Sequence, residues 1–402
     1  MVFDQTQIID VSWVCCSLFL HLAFFVTPFP ILVNAQRTDH LTVNYPISWT
    51  NKKPTGDFVQ FNVGIILATR TLSGLKYDYT CGCSFFCNQT CNSSLFAILT
   101  FYSYKFSTFS AQIVWSANPI NPVRYNATLK LTSKRGLVLQ DVDGTVVWST
   151  NISTKSVAGL HLTDECNLMF LDEKNATVWQ SFDHPTDTLV LGQKLVLGQQ
   201  LTSRGGLFLL SLTTQGLFAY INSNPPQSYF YYDPGTDNIS YVQFQNRSLA
   251  FFDESLEPFS KLETATTSSP SQYMRFEPNG HLRVYSEDWK QGYDVLTQYI
   301  NGGDCGYPTI CGNYGICSNG QCICPPPING TSYFQQIDDR LPNLGCSLVT
   351  PLSCEASKNQ IENHILSRFK IPPKYKSRLP RYNFRELYSG ILNKLFMQSC
   401  YI

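Results

Sequence analysis

An internal repeat of β-hairpins constrains the fold of this chain more than any other feature of its sequence. Residues 136–150 read GLVLQDVDGTVVWST, in which two apolar runs flank Asp143-Gly144, a dipeptide that favours a tight hairpin turn. Residues 159–181 repeat the same order of Gly-Leu-x-Leu, a polar turn and Val-Trp. Weaker copies occur at 206–220 and 279–285. Repeats of about 20 to 25 residues with one hairpin each predict an all-β chain of similar antiparallel sheets, with an unrelated β-sandwich as the alternative.

The composition fits two or three packed domains and excludes two classes of protein. A length of 402 residues exceeds one ordinary domain. Hydrophobic residues at 43% and aromatic residues at 14% are sufficient for packed cores, which excludes disorder over most of the chain. We expect the indole rings of Trp115, Trp148 and Trp179 to share one of these cores. With 29 basic and 29 acidic residues the net charge is zero, which excludes nucleic-acid binding driven by whole-chain charge.

The first 35 residues are predicted to be a signal peptide. No charged residue occurs from Val11 to Val33, and the pair formed by Val33 and Ala35 predicts cleavage after Ala35. The leading segment carries Asp4 and Asp10 but no basic residue, and the apolar run is long enough to span a bilayer. An uncleaved membrane anchor is therefore the alternative.

Eight N-glycosylation sequons indicate a secretory route. A single Asn-X-Ser/Thr match arises easily by chance, but eight are typical of a secreted protein that keeps these loops at its surface. The asparagines are Asn88, Asn92, Asn126, Asn151, Asn175, Asn238, Asn246 and Asn329. The 15 cysteines also fit secretion, because that number is unusual in a reducing cytosol.

Two groups of cysteines are predicted to form disulfides. Six within 305–346 are spaced C-x5-C-x5-C-x4-C-x-C-x21-C, and so short a segment cannot build its own core without cross-links. Sequence alone allows many pairings of these six. A zinc site is the alternative, but no His lies within the group and the secretory route is oxidising. The second group has no assignable partners, and its odd number leaves at least one thiol free or paired elsewhere; it comprises Cys81, Cys83, Cys87, Cys91 and the more distant Cys166.

Three longer strings resemble a known family. They are IVWSANPINPV at 113–123, LTSKRGLVLQDVDGTVVWST at 131–150 and VWQSFDHPTDTLVLGQKL at 178–195. They resemble the bulb-type, mannose-binding lectin domain in the form found in plant S-domain, or G-type lectin, receptor-like kinases, and the likeness covers about residues 40–355. The resemblance implies an all-β fold with a bulb-type lectin β-prism at 36–190, a second related β-rich domain at 191–300 and a small disulfide-rich EGF-like module at 301–346. The signal peptide at 1–35 precedes these parts, and a divergent basic tail at 347–402, in which the likeness stops, is expected to follow them as a truncated end.

The likeness of the cysteine-rich segment to an EGF-like module implies its disulfide pairing. The implied pairs are Cys305–Cys317, Cys311–Cys322 and Cys324–Cys346. The calcium-binding kind of EGF-like module carries acidic and amide ligands just before its first cysteine. Only Asp304 lies there in this chain, so we expect a structural module without calcium.

The resemblance also implies a place to look for a sugar site. Bulb-type sites resemble Gln-x-Asp-x-Asn-x-Val-x-Tyr on one strand, in which the polar side chains offer donors and acceptors to sugar hydroxyls. We call each alignment of this nine-residue motif on the chain a frame. The frame that begins at Gln140 keeps the Gln and a Val. The frame through Asn167, at 163–171, keeps the Asn and has Glu165 in place of Asp, whereas the frame that ends at Tyr285 is mostly mismatched. Asp164 and Asn167 also match the Asp-x-x-Asn spacing of S-domain relatives.

The candidate carbohydrate-binding residues are therefore Gln140, Asp164, Glu165 and Asn167, with a purely structural role of Asp164 and Asn167 in a hairpin turn as the alternative. No frame keeps all five groups, and each unpaired polar group costs about 1–3 kcal/mol. We expect weak binding of mannose-type glycans or none, and recognition of extracellular proteins, including full-length receptor kinases of this group.

No enzyme is indicated. The chain lacks the G-x-G-x-x-G, His-Arg-Asp and Asp-Phe-Gly motifs of protein kinases, and its six His residues show no metal-ligand spacing. We expect no catalytic residues, no cofactor, no metal and no nucleic-acid partner. The predicted function is that of an extracellular lectin-type recognition glycoprotein, secreted or held in the cell wall. A structural cell-wall glycoprotein without sugar binding is the alternative.

Overall fold

The computed structural model describes residues 41–349 except for 43–46, 53–62, 69–71, 74–76, 88–92, 105–107, 153–155, 265–271, 287–291, 301, 328–329 and 331. The predicted signal peptide, the tail beyond Val349 and the sequon residues Asn88, Asn92 and Asn329 lie outside these described residues. The chain divides into two compact units, residues 1–184 and 185–402. No helix in the described ranges is long and apolar enough to cross a membrane.

The first unit is built from three antiparallel sheets. Its described strands are β1 (Leu41–Thr42), β2 (Ile47–Thr50), β3 (Val63–Ala68), β4 (Leu72–Ser73), β5 (Tyr77–Phe86), β6 (Leu95–Tyr104), β7 (Thr108–Ser116), β8 (Thr128–Thr132), β9 (Gly136–Gln140), β10 (Val146–Ser149), β11 (Gly159–Leu162), β12 (Leu168–Leu171) and β13 (Thr177–Gln180). Sheet I has the order β3-β5-β6-β7 with β4 also on β5, sheet II has the order β10-β9-β8-β2, and sheet III has the order β1-β11-β12-β13. The predicted hairpins lie in sheets II and III, and the two short strands β2 and β1 form the opposite edge of each.

A triad of tryptophans joins the three sheets. Trp115, Trp148 and Trp179 each lie on the last strand of one sheet, as the sequence led us to expect for a shared core. Their ring centroids are 5.8, 6.0 and 6.1 Å apart, and all three pairs meet edge to face. Such pairs contribute about 0.5–1.5 kcal/mol each beyond the apolar area that they bury. The indoles therefore act as one threefold contact between sheets that are far apart in sequence.

A disulfide ties sheet I to sheet III. Cys81 on β5 is bonded to Cys166, in the turn between β11 and β12, across 85 residues of sequence. Cys87 is also disulfide-bonded, whereas Cys83 is a free, buried thiol. Burial raises the pKa of the Cys83 thiol well above its ordinary value, so this thiol is held in its unreactive protonated form.

The second unit repeats the three-sheet plan. Its strands in the described ranges are β14 (Thr188–Val190), β15 (Lys194–Val196), β16 (Gln200–Thr202), β17 (Phe208–Thr213), β18 (Gly216–Ile221), β19 (Gln227–Tyr232), β20 (Tyr241–Gln245), β21 (Ser248–Phe252), β22 (Ser260–Glu263), β23 (Tyr273–Phe276), β24 (Leu282–Tyr285) and β25 (Tyr293–Asp294). Sheet IV has the order β16-β17-β18-β19, sheet V the order β15-β20-β21-β22, and sheet VI the order β14-β23-β24-β25.

Three successive short strands begin this second unit and enter three different sheets. They carry Leu189, Leu195 and Leu201, each at most 1% exposed, into a common core. The unit begins after His184 rather than after residue 190, because β14 pairs with β23 of the second unit. Val190, placed by the sequence interpretation at the end of the first domain, therefore belongs to sheet VI.

The cysteine-rich segment forms two small hairpins. They are made by β26 (Ile316–Ser318) with β27 (Gln321–Ile323), and by β28 (Phe334–Gln336) with β29 (Cys346–Leu348). The disulfides are Cys305–Cys317, Cys311–Cys322 and Cys324–Cys346, the three pairs that the EGF-like resemblance implies. Short 3-10 turns at Ser181–Asp183, Gly303–Gly306 and Pro342–Leu344 complete the described regular structure.

Replacing Trp179 by alanine is expected to lower the free energy of unfolding by about 3–5 kcal/mol, because it leaves a cavity and removes two contacts of the triad. Urea unfolding of the full chain measures this change. Val146→Ala is the matched control, because Val146 lies on the neighbouring sheet and is 53% exposed. Equal stability of the two variants would show that the triad does not hold the first unit together.

Candidate functional site

The frame at 163–171 forms the turn between β11 and β12. The backbone N–H of Thr163 donates to the carbonyl oxygen of Asn167 at 2.9 Å, and the N–H of Asn167 donates to Oγ1 of Thr163 at 3.2 Å. Cys166 occupies the left-handed region, with φ of 66°, and the disulfide to Cys81 holds it there. The candidate residues Asp164, Glu165 and Asn167 are thus brought together on one tight turn.

The side-chain amide of Asn167 forms hydrogen bonds with other residues of the protein. Its Nδ2 donates to Oε1 of Gln180 at 2.9 Å, while its Oδ1 accepts the hydroxyl of Ser181 at 3.1 Å and the backbone N–H of Phe182 at 3.3 Å. Gln180 in turn donates to Asp183 at 2.9 Å. Because Asn167 is only 6% exposed, these bonds leave little of its amide for a ligand.

The segment at 179–184 also contacts the tryptophan triad through His184. The ring of His184 stacks on Trp179 with 5.3 Å between centroids, and its carbonyl oxygen accepts the indole N–H of Trp115 at 2.8 Å. The string Trp-Gln-Ser-Phe-Asp-His at 179–184 therefore connects the Asn167 turn to the core of the first unit. Its hydrogen bonds support a structural role for this string.

The two acidic candidates lie above a buried tyrosine. Glu165 is exposed and Asp164 is half-buried. The Tyr79 hydroxyl lies 3.0 Å from the sulfur of Cys81 and 3.1 Å from that of Cys166. Burial first, and then the carboxylates of Glu165 and Asp164, raise the pKa of Tyr79 above its ordinary value. These two carboxylates are the parts of the 163–171 frame that a ligand can reach.

Strand register places Gln140 differently from the frame that begins there. Leu139 is opposite Trp148 in sheet II, just as Phe170 is opposite Trp179 in sheet III. Gln140 therefore occupies the place of Leu171, the last position of the frame, and not the first. The same β-bulge occurs in both hairpins, before Trp148 and before Trp179, so the hairpins correspond residue by residue, and Gln140 alone does not reveal its position on the strand.

The turn that follows Gln140 is closed by an ion-pair cluster. Nε of Arg124 lies 2.8 Å from a carboxylate oxygen of Asp141, and a terminal guanidinium nitrogen lies 2.7 Å from Asp143. The Gln140 amide is 3.5 Å from the carbonyl oxygen of Gly144. Because Arg124 and Asp143 are more than half exposed, we assign this cluster little stabilisation.

The third frame, at 277–285, splits into an outer and an inner part. On the outside, the Tyr285 hydroxyl donates to Oε1 of Glu277 at 2.6 Å, and burial followed by this carboxylate raises the pKa of Tyr285 to about 12. Asn279 is exposed in the turn between β23 and β24, and His281 is buried at 7% exposure. The frame thus brings Glu277 and Tyr285 together but not the other positions.

His281 belongs to a buried network that docks the EGF-like segment. Its ring stacks on Tyr307 with 3.6 Å between centroids, and its Nδ1 forms an ion pair with Asp294. The Tyr307 hydroxyl donates to the same carboxylate at 3.0 and 3.1 Å. Partial burial raises the pKa of Asp294, but the opposing hydrogen bonds and charge, His281 foremost, hold it below its ordinary value. Sequence reasoning missed this network, since nothing in the spacing of these residues signals contact.

No group of three or more His, Cys, Asp and Glu side chains that could hold a metal occurs among the residues for which the structure is described.

Comparisons with known proteins identify a lectin domain. Residues 112–208 match the D-mannose binding lectin family, a range that runs from β7 through the tryptophan triad to the start of β17. EP1-like glycoprotein 4 of Arabidopsis thaliana is 32% identical over 250 residues, which cover 54% of this chain and 56% of that protein. The epidermis-specific secreted glycoprotein EP1 of Daucus carota is 29% identical over 266 residues, covering 54% of this chain and 68% of that protein.

A receptor kinase is also similar. A G-type lectin S-receptor-like serine/threonine-protein kinase of Arabidopsis thaliana is 28% identical over 278 residues, covering 64% of this chain and 31% of the kinase. The chain spans little more than half the length of the EP1-like glycoprotein that it matches. The expected resemblance to bulb-type lectins and to this receptor group is confirmed.

Two solved lectin structures are similar at a low level. The Marasmius oreades lectin is 16% identical, covers 29% of this chain and 97% of its own, and has a TM-score of 0.24. The two-domain, fetuin-binding agglutinin of Scilla campanulata is 12% identical, covers 60% of this chain and 97% of its own, and has a TM-score of 0.23. At these TM-scores, neither likeness carries an argument about the ligand.

Asn167→Ala is expected to lower the free energy of unfolding by about 1–3 kcal/mol, because it leaves the polar groups of Gln180 and Ser181 without their partner. Thermal unfolding of the full chain measures the loss. Glu165→Gln, at an exposed position of the same turn, is the control and should change stability little. Unchanged stability of the Asn167 variant would contradict a structural role for its amide.

Asp294→Asn is expected to cost about 2 kcal/mol at pH 6 by weakening the hydrogen bonds from His281 and Tyr307. The folded-state pKa of Asp294 lies below its ordinary value, so its carboxylate stabilises the fold above the unfolded pKa and loses this effect as the pH falls through the folded pKa. The difference between wild type and variant should therefore shrink below about pH 4. Urea unfolding from pH 3 to 7, with the exposed Glu254→Gln as control, tests this; a pH-independent difference would contradict it.

Proposed function

We propose that this chain, whose residues 112–208 match the D-mannose binding lectin family, is an extracellular glycoprotein that recognises carbohydrate or protein ligands without a catalytic step. The observation that carries the proposal is the tryptophan triad, which lies within the matched residues and joins the three sheets of the first unit. Three sheets fixed at their centre leave three outer faces and their turns for contact with ligands. The second unit, with three sheets of its own, adds further faces of the same kind.

An extracellular location is supported by chemistry at the surface. The sequon asparagines within the described residues are all exposed: Asn126, Asn151, Asn175, Asn238 and Asn246. Disulfides cross-link both the first unit and the EGF-like segment, as expected for an oxidising compartment. We propose secretion, with retention in the cell wall or by a membrane anchor as further possibilities to be tested.

Within this function, we assign little mannose binding to the 163–171 frame. The internal hydrogen bonds of Asn167 and the apolar Leu171 at the tyrosine position support that assignment. We propose that other surfaces recognise extracellular ligands, among them receptor kinases of the group to which the chain is similar. A structural wall glycoprotein without sugar binding is the second candidate. It is favoured as well by the Asn167 amide, whose hydrogen bonds are made to Gln180 and Ser181 inside the protein.

A glycan array separates these two candidates. The full secreted chain is expected to bind at least one cell-wall glycan, and to bind mannans weakly and equally with its Asp164→Asn/Glu165→Gln variant, which keeps the Asn167 network intact. Micromolar mannan binding lost in that variant would show that the 163–171 frame is a working site. Retention of the chain in wall extracts with no binding to any array member or receptor ectodomain would support the structural candidate.

N-glycosylation is tested separately on chain secreted from plant cells. Treatment with N-glycanase is expected to increase electrophoretic mobility, and Asn175→Gln should remove one glycan, because Asn175 is exposed in the turn between β12 and β13. Asn279→Gln is the control, an exposed asparagine outside any sequon. An unshifted wild-type band would contradict the extracellular assignment.

A further inference from the structure

Sheet VI carries two arginines side by side on its outer face. Arg275 of β23 is the register partner of Arg283 of β24, and this row continues to Thr188 on one side and Asp294 on the other. The alternate positions Met274 and Val284 are buried, so the arginines point outward. Like charges directly opposite each other on a sheet are destabilising unless an anion lies between them.

Of these two arginines, Arg283 has no anionic partner among the described residues. Arg275 donates from Nε to Oγ1 of Thr188 at 3.3 Å and lies over the ring of Tyr273, 4.7 Å from its centroid. The Asp294 carboxylate is turned toward His281 instead. The side chain of Arg283 forms no ion pair or hydrogen bond with a described residue and is half-buried.

The neighbouring row supplies one partly exposed aromatic ring, that of Tyr285, which lies on the buried ring of Tyr273 at 2% exposure. Tyr273 and Tyr285 are register partners, and their rings stack with 5.0 Å between centroids at 15°. A Cβ at Gly292 would lie 2.9 Å from Cβ of Arg283 and from the Tyr285 ring. The absence of a side chain at Gly292 therefore lets both groups lie against the backbone, and the Tyr285 hydroxyl is fixed by Glu277.

We propose that this face binds a hexuronate unit of an acidic polysaccharide. The planar carboxylate of the sugar pairs with the forked guanidinium of Arg283, beside Arg275. The pyranose ring contacts the accessible edge of Tyr285, and Glu277 accepts hydrogen bonds from the sugar hydroxyls. A multiply charged phosphate or sulfate fits less well, because Glu277 places a negative charge beside the same site.

The sequence leaves this face free of attached glycans. The sequons of the second unit's sheets, at Asn238 and Asn246, flank β20 of sheet V, and no sequon occurs between Arg247 and Gly320. The inference rests on the proposed recognition function and assigns it a ligand class. It does not depend on the 163–171 frame.

Titration of the full chain with oligogalacturonate in calcium-free buffer tests the proposal. Arg283→Gln should weaken binding at least tenfold, and Arg283→Lys should restore only part of it, because an ammonium keeps the charge but not the fork. Arg204→Gln, an exposed arginine in the same unit, is the matched control and should bind as wild type. The melting temperature of each variant excludes loss of folding as the cause.

Two further arms separate the ligand chemistry from charge alone. Methyl-esterified oligogalacturonate should bind at least tenfold more weakly, and inorganic phosphate at equal ionic strength should not compete. Equal binding of the esterified form, competition by phosphate, or equal losses in the Arg283 and Arg204 variants would overturn the uronate site. Binding of other glycans, but not of oligogalacturonate, by the wild-type chain would leave the proposed function standing while this inference failed.

Discussion

The edge-to-face contact of three indole rings is the constraint on which the first unit depends. Each sheet contributes one tryptophan from its last strand, and each ring touches the other two. A single sheet with one apolar face cannot bury that face alone. Three sheets meet around the triad. The indole N–H of Trp115 also donates a hydrogen bond to the carbonyl oxygen of His184, which lies next to the triad.

The polar groups nearest the triad form hydrogen bonds with one another that stabilise this arrangement of sheets. Asn167, Gln180 and Ser181 satisfy one another, so the turn at 163–171 is held firmly where a sugar-binding lectin would present open amide groups. Stability and sugar binding compete here for the same donors and acceptors. The outer face of sheet VI differs, since its Arg283 forms no ion pair or hydrogen bond with the part of the chain that the structure describes.

Local features of the fold could be predicted from the sequence, and long-range ones could not. The hairpin at Asp143-Gly144 and the tryptophan cluster follow from turn chemistry and apolar repeats, which act over a few residues. The short edge strands β1 and β2 carry too few residues for a hydrophobic pattern. Their partners are distant in sequence, since Leu41 pairs with Leu160 and Ile47 pairs with Leu131. The Cys81–Cys166 bond likewise depends on how two sheets meet. The frame at Gln140 was misplaced because a single glutamine does not mark its position along a strand. The strand register puts Gln140 level with Leu171, the end of the other frame.

The stack of His281 on Tyr307 has a mechanical consequence. Tyr307 lies two residues after the first cysteine of the EGF-like segment, and its ring is 2% exposed against the strands of sheet VI. From Cys346, the disulfides Cys324–Cys346 and Cys311–Cys322 give tension a covalent route toward this buried ring, and Cys305–Cys317 closes the loop that contains the ring. The EGF-like segment and sheet VI would therefore resist a pull as a single stiff element, and the sheet that carries the arginine pair would bear the load.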